Sequence, residues 1–202
     1  MRKPTLILIT IAVLCFFTYS NAQAVALIEQ QAWWDYSVLG TDLWLDWSSI
    51  NYGSVDWASL NWNTGKASFG NNYSLLSYTY WAANTDLAFQ KTFTVADSLS
   101  NIVLNVASDN GFVIFVNGQQ VAKENAEGYT SLWEYTFNLD PSLFQMGANQ
   151  IRVLAEDHGG GTFWDMQMTA DVAPVPEPAT ILLLASGLAG LAGFGRKKVF
   201  KK

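Results

Sequence analysis

Tryptophan and asparagine recur closely between residues 56 and 65, where the sequence reads DWASLNWNTG. Indole rings stack on the apolar C–H faces of sugars, and side-chain amides hydrogen-bond sugar hydroxyls. The candidate carbohydrate-binding residues are therefore Trp57, Asn61, Trp62 and Asn63. The alternative is that the nine tryptophans, all between residues 33 and 164, form core and sheet-to-sheet packing, because indole buries a large area.

Oxygen-bearing side chains cluster at Asp109-Asn110-Gly111. Calcium takes carboxylate, amide and carbonyl oxygens, so Asp109 and Asn110 are candidate ligands of a structural Ca²⁺ ion. Glu156, Asp157 and Asp165 could contribute further oxygens, although no run has EF-hand spacing. The alternative is a plain turn whose side chains hydrogen-bond their own backbone.

The residues needed for common catalytic sites are scarce. His158 is the one histidine, and the glycines that follow it lack the Lys-Ser/Thr of a phosphate-binding loop. Neither a Ser-His-Asp triad nor a histidine-rich zinc site can be assembled from this set. A pair of carboxylates for glycan cleavage stays open, but nothing in the sequence selects one. We therefore predict a non-enzymatic protein.

The charge of the central part of the chain argues against nucleic acid as a partner. Seven of the eleven basic residues lie in the two terminal segments. Residues 25–173 keep four basic residues against sixteen acidic ones, a net charge of −12. Binding to phosphates requires clustered lysine and arginine.

The first 24 residues have the three parts of a secretory signal peptide. Arg2 and Lys3 are followed by an apolar run over residues 6–17 and by the small residues of Ala22-Gln23-Ala24. Signal peptidase should cleave after Ala24 or Ala26; the alternative is an uncleaved anchor. The one cysteine lies inside the apolar run, so the mature chain has no thiol chemistry.

Residues 174–202 have the layout of a membrane-directed tail. Val175-Pro176-Glu177-Pro178 precedes an apolar stretch over residues 179–194 and then a basic cluster. The apolar stretch is about as long as a short transmembrane helix. The basic end should stay cytoplasmic and leave the body outside.

This tail closely resembles the PEP-CTERM sorting signal of exported bacterial proteins. The resemblance implies that an exosortase in the inner membrane recognises Pro176-Glu177-Pro178, removes the helix and transfers the protein onward. It also implies a Gram-negative bacterium that makes exopolysaccharide. A permanent single-pass anchor is the alternative.

Residues 25–173 are of the right length for one domain and show the period-2 alternation of strands. The predicted strands contain residues 33–38, 43–47, 87–95, 102–106, 112–116, 119–122, 133–139, 151–155 and 164–172. Asn117-Gly118 predicts a type I′ hairpin turn, since both positions need positive φ. The segments at residues 33–38 and 43–47 are less regular than the others, so about seven or eight strands are expected. That number favours a two-sheet antiparallel β-sandwich of jelly-roll type, with an eight-stranded barrel as the alternative.

The second half of the body resembles the galactose-binding-like jelly rolls that accompany many glycoside hydrolases. The resemblance rests on Ser108-Asp109-Asn110-Gly111-Phe112, on Phe115-Val116-Asn117-Gly118 and on the sequence GANQIRV at residues 147–153. Residues 33–70 depart from that family's sugar-binding members. The resemblance implies a module that binds extracellular polysaccharide; a structural or adhesive matrix protein and a small glycan hydrolase or lyase are the alternatives.

Overall fold

The computed structural model describes residues 23–71, 77–125, 128, 131–172 and 186–187. The β-rich unit of the chain comprises Gln23–Ala173. The predicted signal peptide and nearly all of the predicted sorting tail lie outside the described residues; of the tail, Ser186 and Gly187 are described, as helix. Within the described ranges, no helix is long and apolar enough to cross a membrane.

The described part of the β-rich unit contains twelve strands. They are β1 (Gln23–Ile28), β2 (Trp33–Val38), β3 (Asn63–Lys66), β4 (Phe69–Gly70), β5 (Thr79–Tyr80), β6 (Leu87–Val95), β7 (Leu99–Asp109), β8 (Phe112–Val116), β9 (Gln119–Glu124), β10 (Tyr135–Leu139), β11 (Gly147–Ala155) and β12 (Phe163–Val172). Three short 3-10 helices span Trp44–Ser49, Tyr52–Ser54 and Pro141–Leu143.

These strands form two six-stranded sheets. Sheet A has the order β10-β7-β12-β4-β5, with β1 also paired to β12, and sheet B has the order β3-β2-β6-β11-β8-β9. The short β4–β5 pair is parallel and the other pairs are antiparallel. The all-β, two-sheet prediction is confirmed, although the strands are more numerous than expected because β1, β3, β4 and β5 are short or weakly patterned.

The main core lies between the sheets, where alternate residues of each strand point inward. Its centre is aromatic: Phe89 of β6 stacks on Trp164 of β12 with ring centroids 4.2 Å apart. Trp34 of β2 meets Trp164 edge-on at 5.0 Å. All three side chains are at most 1% exposed. Core packing therefore accounts for part of the tryptophan content.

The predicted hairpin at Asn117-Gly118 is confirmed. Both residues have positive φ, +49° for Asn117 and +82° for Gly118. β8 and β9 flank the turn and pair in antiparallel register. The sequence fixes this turn locally, because asparagine and glycine adopt the left-handed conformation at little cost.

The prediction of a strand at residues 43–47 is wrong, because Trp44–Ser49 is a 3-10 helix. The carboxylate of Asp42 accepts a hydrogen bond from the backbone N–H of Trp44 at 3.0 Å, which turns the chain locally. The helix belongs to a longer connection between β2 and β3, residues 39–62, which we call the cap. This connection is why residues 33–70 depart from the expected pattern.

The cap covers part of the outer face of sheet B. Its apolar side chains pack on Ala88, Val113, Phe115 and Leu154, which point outward from three strands of that sheet. The cap residues in this second cluster are Leu39, Leu43, Trp47, Ile50, Tyr52, Val55, Trp57, Leu60 and Trp62. Sheet B is consequently buried on both faces over this area.

The strand directions separate the body into two chemically different ends. β7 finishes at Asp109, β6 starts one residue after Asp86, and β11 is followed by Glu156 and Asp157. These carboxylates gather at one end, which we call the acidic end. The opposite end carries Gln23, which pairs with Val172 in the last described strand before the tail.

Candidate functional site

The four predicted carbohydrate-binding residues lie at the end of the cap, in different environments. Asn61 and Asn63 are exposed and Trp62 is half-buried. Trp57 is only 6% exposed, and its Nε1–H donates to the carbonyl of Tyr52 at 2.8 Å. Trp57, one of the four predicted sugar-binding residues, packs its ring into the cluster under the cap, so its indole face is not open to a sugar.

The cationic side chain of Arg152 contacts the buried ring of Trp57 from the side of sheet B. The guanidinium of Arg152, on β11, lies 4.8 Å from the ring centroid of Trp57 and 5.4 Å from that of Tyr52. Arg152 also donates a hydrogen bond to the hydroxyl of Tyr52. Cation–π contacts of this kind fix the cap to sheet B. Trp57 therefore positions Trp62, which stacks parallel to it with centroids 6.4 Å apart.

The structure adds Trp33, which sequence reasoning did not single out. This residue is 61% exposed, whereas Trp34 beside it is buried in the core. Adjacent strand residues point to opposite faces of a sheet, so Trp33 lies on the outer face of sheet B. The alternation of side chains along β2 could have predicted this exposure, since two adjacent tryptophans in a strand point to opposite faces and one ring must lie on the outer face.

Polar side chains lie between the two accessible indoles. Asp35 follows Trp33 on the same face, and in the sheet register it stands opposite Thr64 of β3 and Gln90 of β6. The hydroxyl of Thr64 donates to the carboxylate of Asp35 at 3.3 Å. We call Trp33, Asp35, Trp62, Thr64 and Gln90 the platform. In the β2–β3 register Trp33 stands opposite Lys66. Trp62 precedes Lys66 by four residues, so the two indoles are separated by roughly 13 Å along the strands.

A second candidate site, which is concave, lies at the acidic end. It is a cleft of about 310 Å³, which we call the acidic cleft. Its lining consists of Leu39, Gly40, Thr41, Asp42, Asn84, Thr85, Asp86, Asp157 and His158. The start of the cap thus forms one wall, and the loop after β11 forms another.

Backbone N–H groups hold the two buried carboxylates of the cleft. Asp86 accepts hydrogen bonds from Leu43 at Oδ2 and from Asp157 at Oδ1. Burial raises the pKa of Asp86 to about 6, against the opposing effect of these bonds, and the charges of Glu156 and Asp42 raise it further. Burial also raises the pKa of Asp157. Asp86 and Asp157 should therefore take up protons at a higher pH than ordinary aspartates do.

Behind the cleft, Glu156 is fully buried and bridges two loops. Its Oε1 accepts the backbone N–H of Gly111 at 2.9 Å, and its Oε2 lies 3.0 Å from Nδ1 of His158. Burial raises the pKa of Glu156, and the hydrogen bond to His158 opposes that rise. The imidazole stacks on Trp44 of the cap with centroids 4.2 Å apart. These contacts fix the ring that lines the cleft.

The predicted calcium ligands lie in the same end of the molecule. Asp109 and Asn110 are 3% and 5% exposed, and the backbone N–H of Asn110 donates to the carbonyl of Glu156. The charge of Asp109 contributes to the raised pKa of Asp157. Asp165 lies apart, accepting hydrogen bonds from Met166, Gln31 and Ser68.

Within the ranges that the structure describes, no group of three or more Asp, Glu, His or Cys residues is arranged to hold a metal ion. The acidic end gathers oxygen-bearing side chains, but the main-chain and side-chain hydrogen bonds already use several of their oxygens. Calcium at Asp109 and Asn110 stays a prediction.

Comparison with known proteins identifies the tail and the fold. Residues 174–197 match the PEP-CTERM protein-sorting motif, which confirms the predicted sorting tail. The matched range contains Val175, Pro176, Glu177 and Pro178, whose role as the recognised residues stays a prediction. The motif marks the protein for export and for recognition by an exosortase. A search of curated proteins finds no match.

Two solved structures similar to the chain are β-glucuronidases. That of Bifidobacterium dentium, complexed with coumarin-3-O-glucuronide, has 13% identity and a TM-score of 0.50 over 78% of this chain and 32% of its own. That of an uncultured Clostridium sp. has 7% identity and a TM-score of 0.48 over 75% and 30%. The chain thus spans about a third of their length, and the first likeness shows a shared fold. The protein joins a β-sandwich body to a C-terminal PEP-CTERM sorting motif.

Proposed function

We propose that this protein is an exosortase-sorted surface or extracellular-matrix protein whose body binds polysaccharide without cleaving it. The observation that carries the proposal is the platform, where two accessible indoles flank a row of hydrogen-bonding side chains. Trp33 and Trp62 would stack on sugar rings, and Asp35, Thr64 and Gln90 would bond the hydroxyls between them. Asn61, which is exposed beside Trp62 in the cap, would extend the polar contacts. Asn63 stands opposite Tyr36 in the register and points to the other face of sheet B from Thr64, so it would lie outside the platform.

The proposed location follows from the two terminal segments. Signal peptidase would release the body from the N-terminal signal, and the apolar tail would hold it briefly in the inner membrane of a Gram-negative bacterium. Exosortase action at Pro176-Glu177-Pro178 would then pass it to the cell surface or the exopolysaccharide. A ligand of the body would therefore be met outside the cell.

A structural or adhesive matrix protein without a small ligand is the second candidate. It is favoured by the deep burial of Trp34, Trp57, Trp81 and Trp164, each at most 6% exposed. In that case the remaining indoles would serve only to close the cap on the sheet. The two candidates differ in what removal of Trp33 does to glycan binding.

The test is affinity electrophoresis of residues 25–173 in gels that contain the host's exopolysaccharide, together with a glycan array. Stacking of one sugar on an indole contributes on the order of 1 kcal/mol, if aromatic pairs are a guide, so Trp33→Ala and Trp62→Ala should each weaken retardation about five-fold. Tyr80→Ala is the matched control, because Tyr80 is 73% exposed but belongs to sheet A.

Reducing ends are assayed in parallel. Retardation without new reducing ends supports a binding module. Absence of binding to any glycan would leave the structural candidate, and release of reducing ends would show a hydrolase; formation of unsaturated products would show a lyase. Equal losses in Trp33→Ala and Tyr80→Ala would contradict the assignment of binding to the platform.

A further inference from the structure

The acidic cleft differs in charge from the platform. Three carboxylates line it, from Asp42, Asp86 and Asp157. Glu156 and Asp109 stand close enough behind them to act on their charge. The ammonium of Lys123 is held elsewhere, donating to the carbonyls of Trp47 and Ile50 in the cap. The charge of His158 acts on Glu156 and Asp157 and lowers their pKa values, but the acidic groups outnumber it. The cleft therefore has an excess of negative charge that a cationic ligand would balance.

One carboxylate oxygen at the cleft is not paired within the described part of the chain. Asp157 is 4% exposed, its Oδ2 accepts the backbone N–H of Asn84, and a backbone hydrogen bond from Gly159 also lowers the pKa of this carboxyl. Its Oδ1 is buried and has no hydrogen-bond partner among the residues that the structure describes. An unpaired buried carboxylate oxygen carries a desolvation penalty, which a cationic hydrogen-bond donor would relieve. Asp157 therefore supplies an acceptor for a positively charged group.

The remaining walls suit a sugar residue. The volume of about 310 Å³ lies at the lower end of the range for small-molecule sites. Thr41, Asn84 and Asp42 offer exposed hydrogen-bonding groups at the rim. His158, fixed by its stack on Trp44, keeps 26% of its side chain exposed and adds a ring wall. These groups match the hydroxyls and the ring of one monosaccharide.

The charge of the body also favours a cationic polymer as the ligand. A net charge of −12 over residues 25–173 repels acidic polysaccharides and attracts cationic ones. An ammonium group provides three donors on one charge, which suits several carboxylate acceptors.

We infer that the acidic cleft binds the protonated amino group of a deacetylated amino-sugar residue in a cationic glycan, with Asp157 and Asp42 as the contacting carboxylates. This site is separate from the platform and does not depend on it. Asp86 serves as a positioning residue, since both of its oxygens accept backbone N–H groups.

The test is calorimetric titration of the mature protein, in the presence of a chelator, with glucosamine oligomers and with the same oligomers N-acetylated. The deacetylated oligomer should bind at least ten-fold more tightly. Asp157→Asn and Asp42→Asn should each weaken its binding about ten-fold. Asp97→Asn, which removes an exposed charge at the opposite end, is the matched control and should leave binding unchanged.

Circular dichroism and thermal unfolding check that the variants fold, and Asp42→Asn keeps the test valid if Asp157→Asn does not, since Asp42 is exposed. Trp62→Ala should leave this binding intact, which separates the cleft from the platform. Equal affinity for the two oligomers, an equal loss in Asp97→Asn, or binding that appears only with added calcium would each overturn the inference.

Discussion

The backbone N–H of Asp157 donates to Oδ1 of Asp86 at 2.9 Å. Because Oδ2 of the same carboxylate accepts the N–H of Leu43, one buried side chain joins the loop after β11, the start of β6 and the start of the cap. The cleft lies around the carboxylate of Asp86. The protonation state of Asp86 should therefore affect the stability of the whole body.

Raising the pH from about 4 to about 7 should lower the stability contributed by two buried carboxyls. Burial raises the folded-state pKa of Asp86 and of Asp165 to about 6, from an ordinary value of 3.8. A group with a raised folded-state pKa stabilises fully below its unfolded pKa, and this contribution is lost as pH rises through the folded value. Thermal unfolding across this range measures the loss.

Asp165→Asn isolates one of the two groups. The amide oxygen can still accept the hydrogen bonds from Met166 and Gln31 that Oδ1 accepts in the wild type. Because the amide does not titrate, the unfolding free energy of the variant should fall less between pH 4 and pH 7 than that of the wild type. The two falls should differ by up to about 3 kcal/mol, for a shift of roughly two pKa units. An unchanged slope in Asp165→Asn, or an equal change in the exposed Asp97→Asn, would contradict this assignment.

Trp57→Ala should destabilise the body far more than Trp33→Ala. Loss of a buried aromatic side chain costs about 3–5 kcal/mol, and Trp57 is 6% exposed. Trp33 is 61% exposed, so its replacement should change stability by less than about 1 kcal/mol. Urea unfolding followed by circular dichroism compares them. Similar midpoints for the two variants would show that the cap does not contribute to the fold.

Gly118→Ala should cost about 1 kcal/mol, because the hairpin turn holds this residue at φ +82°. An added Cβ would meet no atom within 4 Å, so the effect is conformational alone. Gly40→Ala is the matched control: it is equally free of neighbours and does not have a positive φ in that range. Chemical denaturation should place Gly40→Ala at or above the wild type; equal losses at both positions would refute the turn argument.

Calcium, if Asp109 and Asn110 bind it, should raise the melting temperature. A ligand that binds only the folded state adds about 2.7 kcal/mol at a concentration of 100 Kd. Differential scanning calorimetry in saturating calcium and in chelator gives the shift, and Asp109→Asn should reduce it. Identical curves in the two solutions would leave Asp109-Asn110 as a turn that carries the hydrogen bonds described above.

The mature chain should begin at Val25 and lack Arg196 to Lys202. Sequence alone allows a start at Val25 or Leu27, but cleavage after Ala26 would remove four of the six residues of β1. A start at Val25 preserves the pairing of Val25 with Ala170. Mass spectrometry of the secreted protein reads both ends. A chain that starts at Leu27, or one that keeps the basic end in a host with a working exosortase, would contradict the prediction.

Much of the sandwich could be predicted because its long strands carry a local signal. β6 and β12 alternate apolar and polar residues over most of their length, and Asn117-Gly118 fixes a turn within two residues. The strand expected at residues 43–47 failed because its aromatic content is used in the cap, where tertiary contact with the outer face of sheet B decides the conformation.

The two candidate sites depend on long-range pairing, which no local pattern reveals. Asp86 and Asp157 are 71 residues apart in the chain yet share a hydrogen bond. Trp33 and Thr64 come together on one face only through the β2–β3 register across the cap. Trp57 shows the opposite error. Its neighbours in the sequence are turn-forming residues, which are typical of an exposed loop, yet its ring is buried.

The position of β12 in sheet A has a mechanical consequence. Tension from an anchored tail would enter this strand at Val172, whose register partner in β7 is Leu99. On its other side β12 is paired with β1 from Val25 onward, where Val25 stands opposite Ala170. Pulling along a strand that is paired on both sides loads many hydrogen bonds at once, as shear, instead of opening them one after another. Detachment of the body under flow should then be limited by the tail, not by unfolding of the sandwich.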